Sequence, residues 1–175
     1  MVDVELLVRL KIPDVTALTA ANSLRRRMGY ADALQRLRRA DYYRLGLNVG
    51  TVDEALALAK ELAEETNLFV NPNKHVYELR LPDQAAPESA GATQEVEVLI
   101  TDPNDGSAQG ALSALQGRLG YGGRVASLTK GVLWLMDLRA PDREAAKALA
   151  ERMAVTKRID EGLLMNPHFQ ECVVR

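Results

Sequence analysis

The sequence predicts an α+β protein built from two similar repeats, each with the order strand, helix, strand, helix, strand. Two short motifs occur twice in the same order: Gly29-Tyr30 returns as Gly120-Tyr121, and Asn71-Pro72 returns as Asn166-Pro167. Around them, apolar residues recur with the period of two that is typical of strands or with the spacing that is typical of helices. We therefore expect each repeat to form a small sheet covered by two helices on one face.

The first strand of each repeat is predicted from alternation. Apolar residues recur at every second position from Val4 to Ile12, a pattern that places one face of the strand inward. The segment VELLV at 4–8 has a close counterpart in VEVLI at 96–100. The second repeat is therefore expected to begin with the same strand.

The first helix of each repeat has one apolar face and is followed by glycine. Because glycine readily adopts the left-handed conformation that closes a helix, Gly29 and Gly120 are predicted to have positive φ angles. The apolar faces consist of Ala17, Ala21, Leu24 and Met28 in the first repeat and of Ala108, Leu112, Leu115 and Leu119 in the second.

A second strand and a second helix follow in each repeat. The helices are expected to begin after Asp53 and Asp142, which are suitable N-cap residues. Each helix leads to an Asn-Pro pair, and proline disfavours helical conformation in the residue before it, so a final strand is expected there. The alternating residues of the second strands are Tyr43, Leu45 and Leu47 in the first repeat and Trp134, Met136 and Leu138 in the second.

These elements predict a first repeat at residues 1–81, a linker at 82–94 and a second repeat at 95–175. The linker segment PDQAAPESAGATQ contains prolines, glycine and small polar residues without a hydrophobic period. A folded unit of about 80 residues is small for a self-sufficient core. We therefore expect the two repeats to pack on one another as an intramolecular pseudo-dimer.

The composition is that of an ordinary globular protein. With a formal net charge of −2 and a sequence pI near 5.8, the chain has no global attraction for nucleic acid or for an anionic membrane. Its first residues show no secretory pattern, and no apolar run reaches the roughly 20 residues that span a bilayer. We expect a cytoplasmic protein that binds neither nucleic acid nor membrane.

No arrangement of residues indicates catalysis, a cofactor or a metal. Two histidines, His75 and His168, each follow an Asn-Pro pair, and no serine or cysteine nucleophile with a partner can be placed beside them. His168 and Cys172 could share a metal, but a zinc site normally needs about four ligands, and the spacing supplies no others. The interpretation we favour is a histidine at a strand entry and a buried thiol.

Seven arginines crowd into residues 25–44 of the first repeat. Arginine is suited to binding carboxylates and phosphates. We favour a solvated or acid-paired surface over docking on an acidic partner and over nucleic-acid binding, since Tyr43 has the core-like position that Trp134 has in the second repeat. The arginines are Arg25, Arg26, Arg27, Arg36, Arg38, Arg39 and Arg44.

With these positions in place, each repeat resembles the PurS family, the small subunits of phosphoribosylformylglycinamidine synthase in purine biosynthesis. The family pattern has a helix that ends in Leu-Gly-Tyr, a strand with Gly-Lys-Tyr, and a helix that leads into Leu-Leu-x-Asn-Pro. The matching segments are SLRRRMGY, LRRADYYRLGL and LFVNP in the first repeat and ALQGRLGY, LTKGVLWLMDL and LLMNP in the second. The repeats depart from the pattern at Ala40-Asp41 and at Val132.

The resemblance implies a non-catalytic subunit of an ATP-dependent amidoligase. Such a subunit bridges a glutaminase, which releases ammonia, and a ligase, which uses it. Family members pair as dimers, so a tandem repeat is what such a pair would become after gene fusion, and further homo-oligomerisation is compatible with it. The candidate partner contacts are Arg38, Arg39, Asn71, Lys130 and Asn166. The alternative is a pair of ferredoxin-like regulatory modules of the ACT kind, which would bind an amino acid at a domain interface.

Overall fold

A computed structural model describes residues 1–82, 93–158 and 161–175. The described residues form six strands and four helices in the predicted order, so the α+β class is confirmed. The strands make an antiparallel sheet in the order β3-β1-β2-β5-β4-β6. The arrangement as two PurS-like repeats stays a prediction. The elements are β1 (Val2–Leu10), α1 (Val15–Arg26), β2 (Leu34–Leu47), α2 (Val52–Glu65), β3 (His75–Arg80), β4 (Thr93–Thr101), α3 (Gly106–Gln116), β5 (Val125–Arg139), α4 (Arg143–Ala154) and β6 (Glu171–Val174).

The chain divides into two compact units that do not follow the predicted boundaries of the repeats. Each unit takes its two helices from different halves of the sequence: α2 and α3 belong to unit 1, and α1 and α4 belong to unit 2. The division falls inside β2 and β5, which are long enough, at 14 and 15 residues, to supply both units with strand residues. Unit 1 comprises Met1–Ile12, Ala40–Gln84 and Asn104–Gly131, and unit 2 comprises Pro13–Arg39, Ala85–Pro103 and Val132–Arg175.

The linker predicted at 82–94 lies mostly outside the described residues, which exclude 83–92. At its end, Thr93 and Gln94 already belong to β4. The strand therefore begins before the predicted boundary of the second repeat, in keeping with the strand preference of threonine.

Unit 1 buries one face of its strands against α2 and α3. In the antiparallel pair of β1 and β2, Val4 lies opposite Leu45, so the alternating apolar residues of both strands share a face. Helix α2 contributes Leu62 and helix α3 contributes Leu115 to the same cluster, and all four side chains are fully buried. The core of unit 1 thus contains residues from both halves of the chain.

Unit 2 has a separate core, built in the same way. Leu24 of α1 and Met153 of α4 pack with Val98 of β4 and Met136 of β5, and all four are fully buried. The apolar face predicted for α1 is confirmed, because Ala17, like Leu24, is buried in this cluster. None of the four helices formed by the described residues is both long and apolar enough to cross a lipid bilayer.

The second helices begin at different kinds of N-cap. Asp142 caps α4 as predicted, and its side-chain oxygen accepts a hydrogen bond from the Ala145 N–H at 2.8 Å. The prediction of Asp53 as the N-cap of α2 was wrong. Thr51 caps this helix, because its hydroxyl accepts from the Glu54 N–H at 3.2 Å while the Glu54 carboxylate accepts from the Thr51 N–H at 3.1 Å. This reciprocal capping box leaves Asp53 in the first turn.

The glycines that follow the first helices have the predicted backbone conformation. Gly29 and Gly120 both have a φ angle of +78°. In each case the N–H of the following tyrosine donates to a leucine carbonyl within the helix, at 3.1 Å and 2.9 Å. The two ends therefore repeat one another in geometry as well as in sequence.

Substitution by alanine at either helix end is expected to lower the free energy of unfolding by about 1 kcal/mol, because L residues are strained at this φ angle. An added Cβ would meet no atom within 4 Å at Gly29 or Gly120, so the cost is conformational. Urea unfolding of Gly29→Ala and Gly120→Ala measures it. Gly110→Ala is the matched control, since Gly110 lies inside α3 with equally open space, and alanine there should stabilise by roughly 0.5–1 kcal/mol. Unchanged stability of both helix-end variants would contradict this account.

Candidate functional site

A buried cluster of charged residues lies on the face of β1 opposite the core of unit 1. Glu5 is fully buried there. Arg80 lies opposite it on β3 and donates from Nε to Glu5 Oε2 at 2.7 Å, while the Tyr42 hydroxyl donates to Glu5 Oε1 at 2.9 Å. Because a buried carboxylate needs a compensating charge and hydrogen bonds, these three residues form one interdependent group.

A corresponding pair occurs in unit 2. Glu97 of β4 is only 5% exposed, and its carboxylate lies 3.5 Å from Arg175 Nε. The backbones of these two residues also exchange two hydrogen bonds of 2.9 Å. Glu97 has the same place in VEVLI as Glu5 has in VELLV. In each half of the sequence, a glutamate of the first strand therefore pairs with an arginine at the end of the last strand.

Neither buried pair is predicted by the periodicity of the sequence. Alternation along β1 predicts that a glutamate between inward-facing apolar residues points to solvent, whereas Glu5 is buried. A signal was present in the duplication. The glutamate recurs at the same place in the first strand of both repeats, and arginine stands at the end of each last strand, at Arg80 and Arg175.

Arg38, predicted as a partner contact, is held by two carboxylates within unit 2. Its Nη2 donates to Asp137 Oδ1 at 2.9 Å and to a carboxylate oxygen of Glu95. Burial acts to lower the pKa of the Arg38 guanidinium, but the hydrogen bonds and charges of Glu95 and Asp137 outweigh it and raise that pKa. Much of its charge is therefore balanced inside the chain.

Arg39 and Lys130, two further predicted contacts, each lie beside the N-cap of a first helix. Arg39 Nε is 3.4 Å from the carboxylate of Asp14, which caps α1. Lys130 Nζ donates to Ser107 Oγ at 2.8 Å and is 3.9 Å from the carboxylate of Asp105, which caps α3. A basic residue of the long strand thus meets a helix-capping aspartate in both units.

The last two predicted contacts, Asn71 and Asn166, shape the turns before the final strands. The side-chain oxygen of each accepts a hydrogen bond from the N–H two residues later, at 3.0 Å in both turns. The backbone carbonyl of each accepts from the N–H four residues later, at 2.8 Å and 3.0 Å. These bonds explain the recurrence of asparagine, and the role of both residues as partner contacts stays a prediction.

The other arginines of the segment 25–44 differ in what they bind. Arg25 donates to two backbone carbonyl oxygens, and Arg44 donates to a carboxylate. Arg26, Arg27 and Arg36 are exposed, and none of them forms a hydrogen bond or ion pair through its side chain with any residue that the structure describes. Three positive charges therefore remain available at the surface of unit 2.

Metal-binding geometry is not found within residues 1–82, 93–158 and 161–175, where no group of three or more His, Cys, Asp or Glu side chains converges. His168 is exposed in the turn before β6, and Cys172 is half-buried on that strand. Burial, reinforced by the charge of Glu151, raises the pKa of the Cys172 thiol and so disfavours its reactive thiolate form.

Comparisons of the chain with protein-family models, with curated proteins and with solved structures gave no match. The function is therefore inferred from the residues and the geometry described above.

Proposed function

We propose that this chain is a non-catalytic structural subunit of the PurS kind, which bridges a glutaminase and an ATP-dependent ligase in the cytoplasm. The observation that carries the proposal is the duplication of motif geometry. Both Gly-Tyr helix ends have the same φ angle, and both Asn-Pro turns have the same hydrogen bonds. Gly-Tyr and Asn-Pro are among the motifs by which each repeat resembles the family.

The composition of the compact units also supports the proposal. Each unit combines the first helix of one half of the sequence with the second helix of the other half. This is the arrangement expected if two intertwined chains had been joined into one. A fused pair of this kind would replace two separate small subunits in the assembly with the enzymes.

One contact in unit 1 illustrates how the two halves depend on each other. The hydroxyl of Tyr121, from the second Gly-Tyr motif, donates to Glu61 of α2 at 2.9 Å, and Arg124 approaches the same carboxylate at 3.2 Å. The hydrogen bond from Tyr121 and, to a smaller extent, the one from Arg124 hold the pKa of Glu61 below its usual value. The motif tyrosine thus ties the second half of the sequence to a helix of the first.

The proposal is tested by mixing the purified chain with the ligase and glutaminase subunits from the same source and measuring the mass of the complex. We expect one copy of this chain per ligase and per glutaminase. Glutamine-dependent synthesis should rise when the chain is added, whereas ammonia-dependent synthesis by the ligase should need it less. The chain alone, as the control, should have neither activity. Two copies per ligase, or no binding to either enzyme, would defeat the proposal.

One cavity in unit 1 bears on the ACT-like alternative, although it lies within the first half of the sequence and not at the domain interface that this alternative expects. This cavity, of about 470 Å³, lies beside the Asn71-Pro72 turn and is lined by Lys11, Glu64 and His75. Opposite charges at its walls suit a zwitterionic amino acid. A thermal-shift screen against amino acids and purine nucleotides separates the alternatives, since saturable stabilisation by one amino acid would favour a regulatory module.

A further inference from the structure

Helix α1 borders an open groove in unit 2. The groove has a volume of about 500 Å³ and is lined on one side by successive turns of α1, through Thr16, Thr19 and Ser23. Trp134 of β5 and Leu163 line the other side. This volume lies within the range of cavities that hold small ligands or several side chains of a partner.

Exposed apolar residues line the groove on both sides. On α1, Val15 is 72% exposed. Leu163 on the opposite side is 40% exposed. Exposed apolar residues grouped beside a groove are typical of a surface that binds another molecule.

Two exposed arginines follow Ser23, the last residue of α1 that lines the groove. Arg27 follows Ser23 by four residues, and its N–H donates to the Ser23 carbonyl at 3.0 Å, so it continues the helical stripe that lines the groove. Within the described part of the chain, its guanidinium has no hydrogen-bond or ion-pair partner. Arg26 is exposed beside it. An occupant of the groove would therefore meet uncompensated positive charge at one end.

We propose that this groove binds an acidic amphipathic segment of a partner protein. Apolar side chains of the segment enter beside Trp134, and its carboxylates bind Arg27, because arginine forms charge-assisted hydrogen bonds with carboxylates. The inference rests on the proposed function only for the identity of the partner, which would be one of the two enzymes. The groove itself can be tested without either enzyme.

Trp134 is the only tryptophan of the chain, so its fluorescence reports directly on the groove. The probe is a short peptide of leucine and glutamate at helical spacing, titrated into the full chain up to about 1 mM. We expect a saturable change in Trp134 emission that weakens as salt is added, since salt screens exposed charges. The same peptide with lysine in place of glutamate should produce no such change.

Two arginine variants test the charge recognition. Arg27→Glu should weaken peptide binding by at least about tenfold, because it replaces an attraction by a repulsion. Arg118→Glu is the matched control: Arg118 has the corresponding place after α3, is exposed, and should leave the titration unchanged. Unfolding midpoints of both variants in urea establish that they are folded.

Three outcomes would overturn the inference: no saturable change with the glutamate peptide, an equal change with the lysine peptide, or unaltered binding by Arg27→Glu. A single-stranded oligonucleotide that competed for the groove better than the peptide would overturn it as well. Because neither enzyme is present in this titration, its failure is distinguishable from a failure of the chain to form a complex with the ligase and glutaminase.

Discussion

Residues 1–81 and 95–175, produced as separate polypeptides, are expected to be largely unfolded alone and to fold together when mixed. Neither contains a complete core. In the polypeptide 1–81, unit 1 lacks α3 and with it Leu115. In the polypeptide 95–175, unit 2 lacks α1 and with it Leu24. Both leucines are fully buried in the intact chain. Truncating one buried leucine to alanine costs about 2–5 kcal/mol. Loss of a whole helix therefore removes stabilising free energy comparable to the whole free energy of unfolding of a typical domain, which is roughly 5–15 kcal/mol.

Circular dichroism and thermal unfolding of each polypeptide and of the equimolar mixture measure how far each half of the chain depends on the other to fold. Sedimentation should show a one-to-one complex of the two polypeptides. The control is the intact protein cut once within residues 82–94, which retains both polypeptides and should stay folded. Two well-folded monomers that do not associate would rule out the assembly of each core from both halves.

The second large effect is expected at the buried carboxylate of β1. Glu5→Ala should lower the free energy of unfolding by about 3–5 kcal/mol, the usual cost of removing one partner from a buried ion pair. The variant leaves the Arg80 guanidinium, which is 14% exposed, without the carboxylate that it binds at 2.7 Å. It also removes the acceptor of the buried Tyr42 hydroxyl. Urea unfolding gives the change in stability.

A surface pair on the same two strands provides the matched control. Glu78 binds Arg9 at 2.9 Å, with side chains that are 48% and 33% exposed, so Glu78→Ala should cost no more than about 1 kcal/mol. The double variant Glu5→Leu/Arg80→Leu should be more stable than either single leucine variant, because neither member of the buried pair is left without the other. An equal, small cost for Glu5→Ala and Glu78→Ala would mean that the buried pair does not stabilise the fold.

Periodicity predicts the elements of this protein well, because it depends on local spacing. The order of strands and helices, the buried face of α1 and the positive φ angles at Gly29 and Gly120 all follow from residues close in sequence. The assignment of helices to cores does not follow from such spacing. An apolar stripe shows which face of α3 is buried, but not that Leu115 enters a core with Leu62 of the first half.

Side-chain chemistry is predicted less completely than the fold. For the arginine-rich segment, the favoured interpretation is a solvated or acid-paired surface. Ion pairs with carboxylates confirm it for Arg38, Arg39 and Arg44. Their partners were not predictable, because the carboxylates come from distant segments of the chain. The buried Glu5 was missed for a related reason, since its partner Arg80 is brought beside it only by strand pairing.

The assembly of each core from distant segments also determines when the protein can fold during synthesis. Unit 1 remains incomplete until Asn104–Gly131 has left the ribosome, although β1 is among the first residues made. Contacts between residues so far apart in sequence slow folding. Until these contacts form, the apolar faces of the nascent strands stay exposed to solvent and are prone to aggregate. Binding of a chaperone to the growing chain is therefore expected to persist until the second half has emerged.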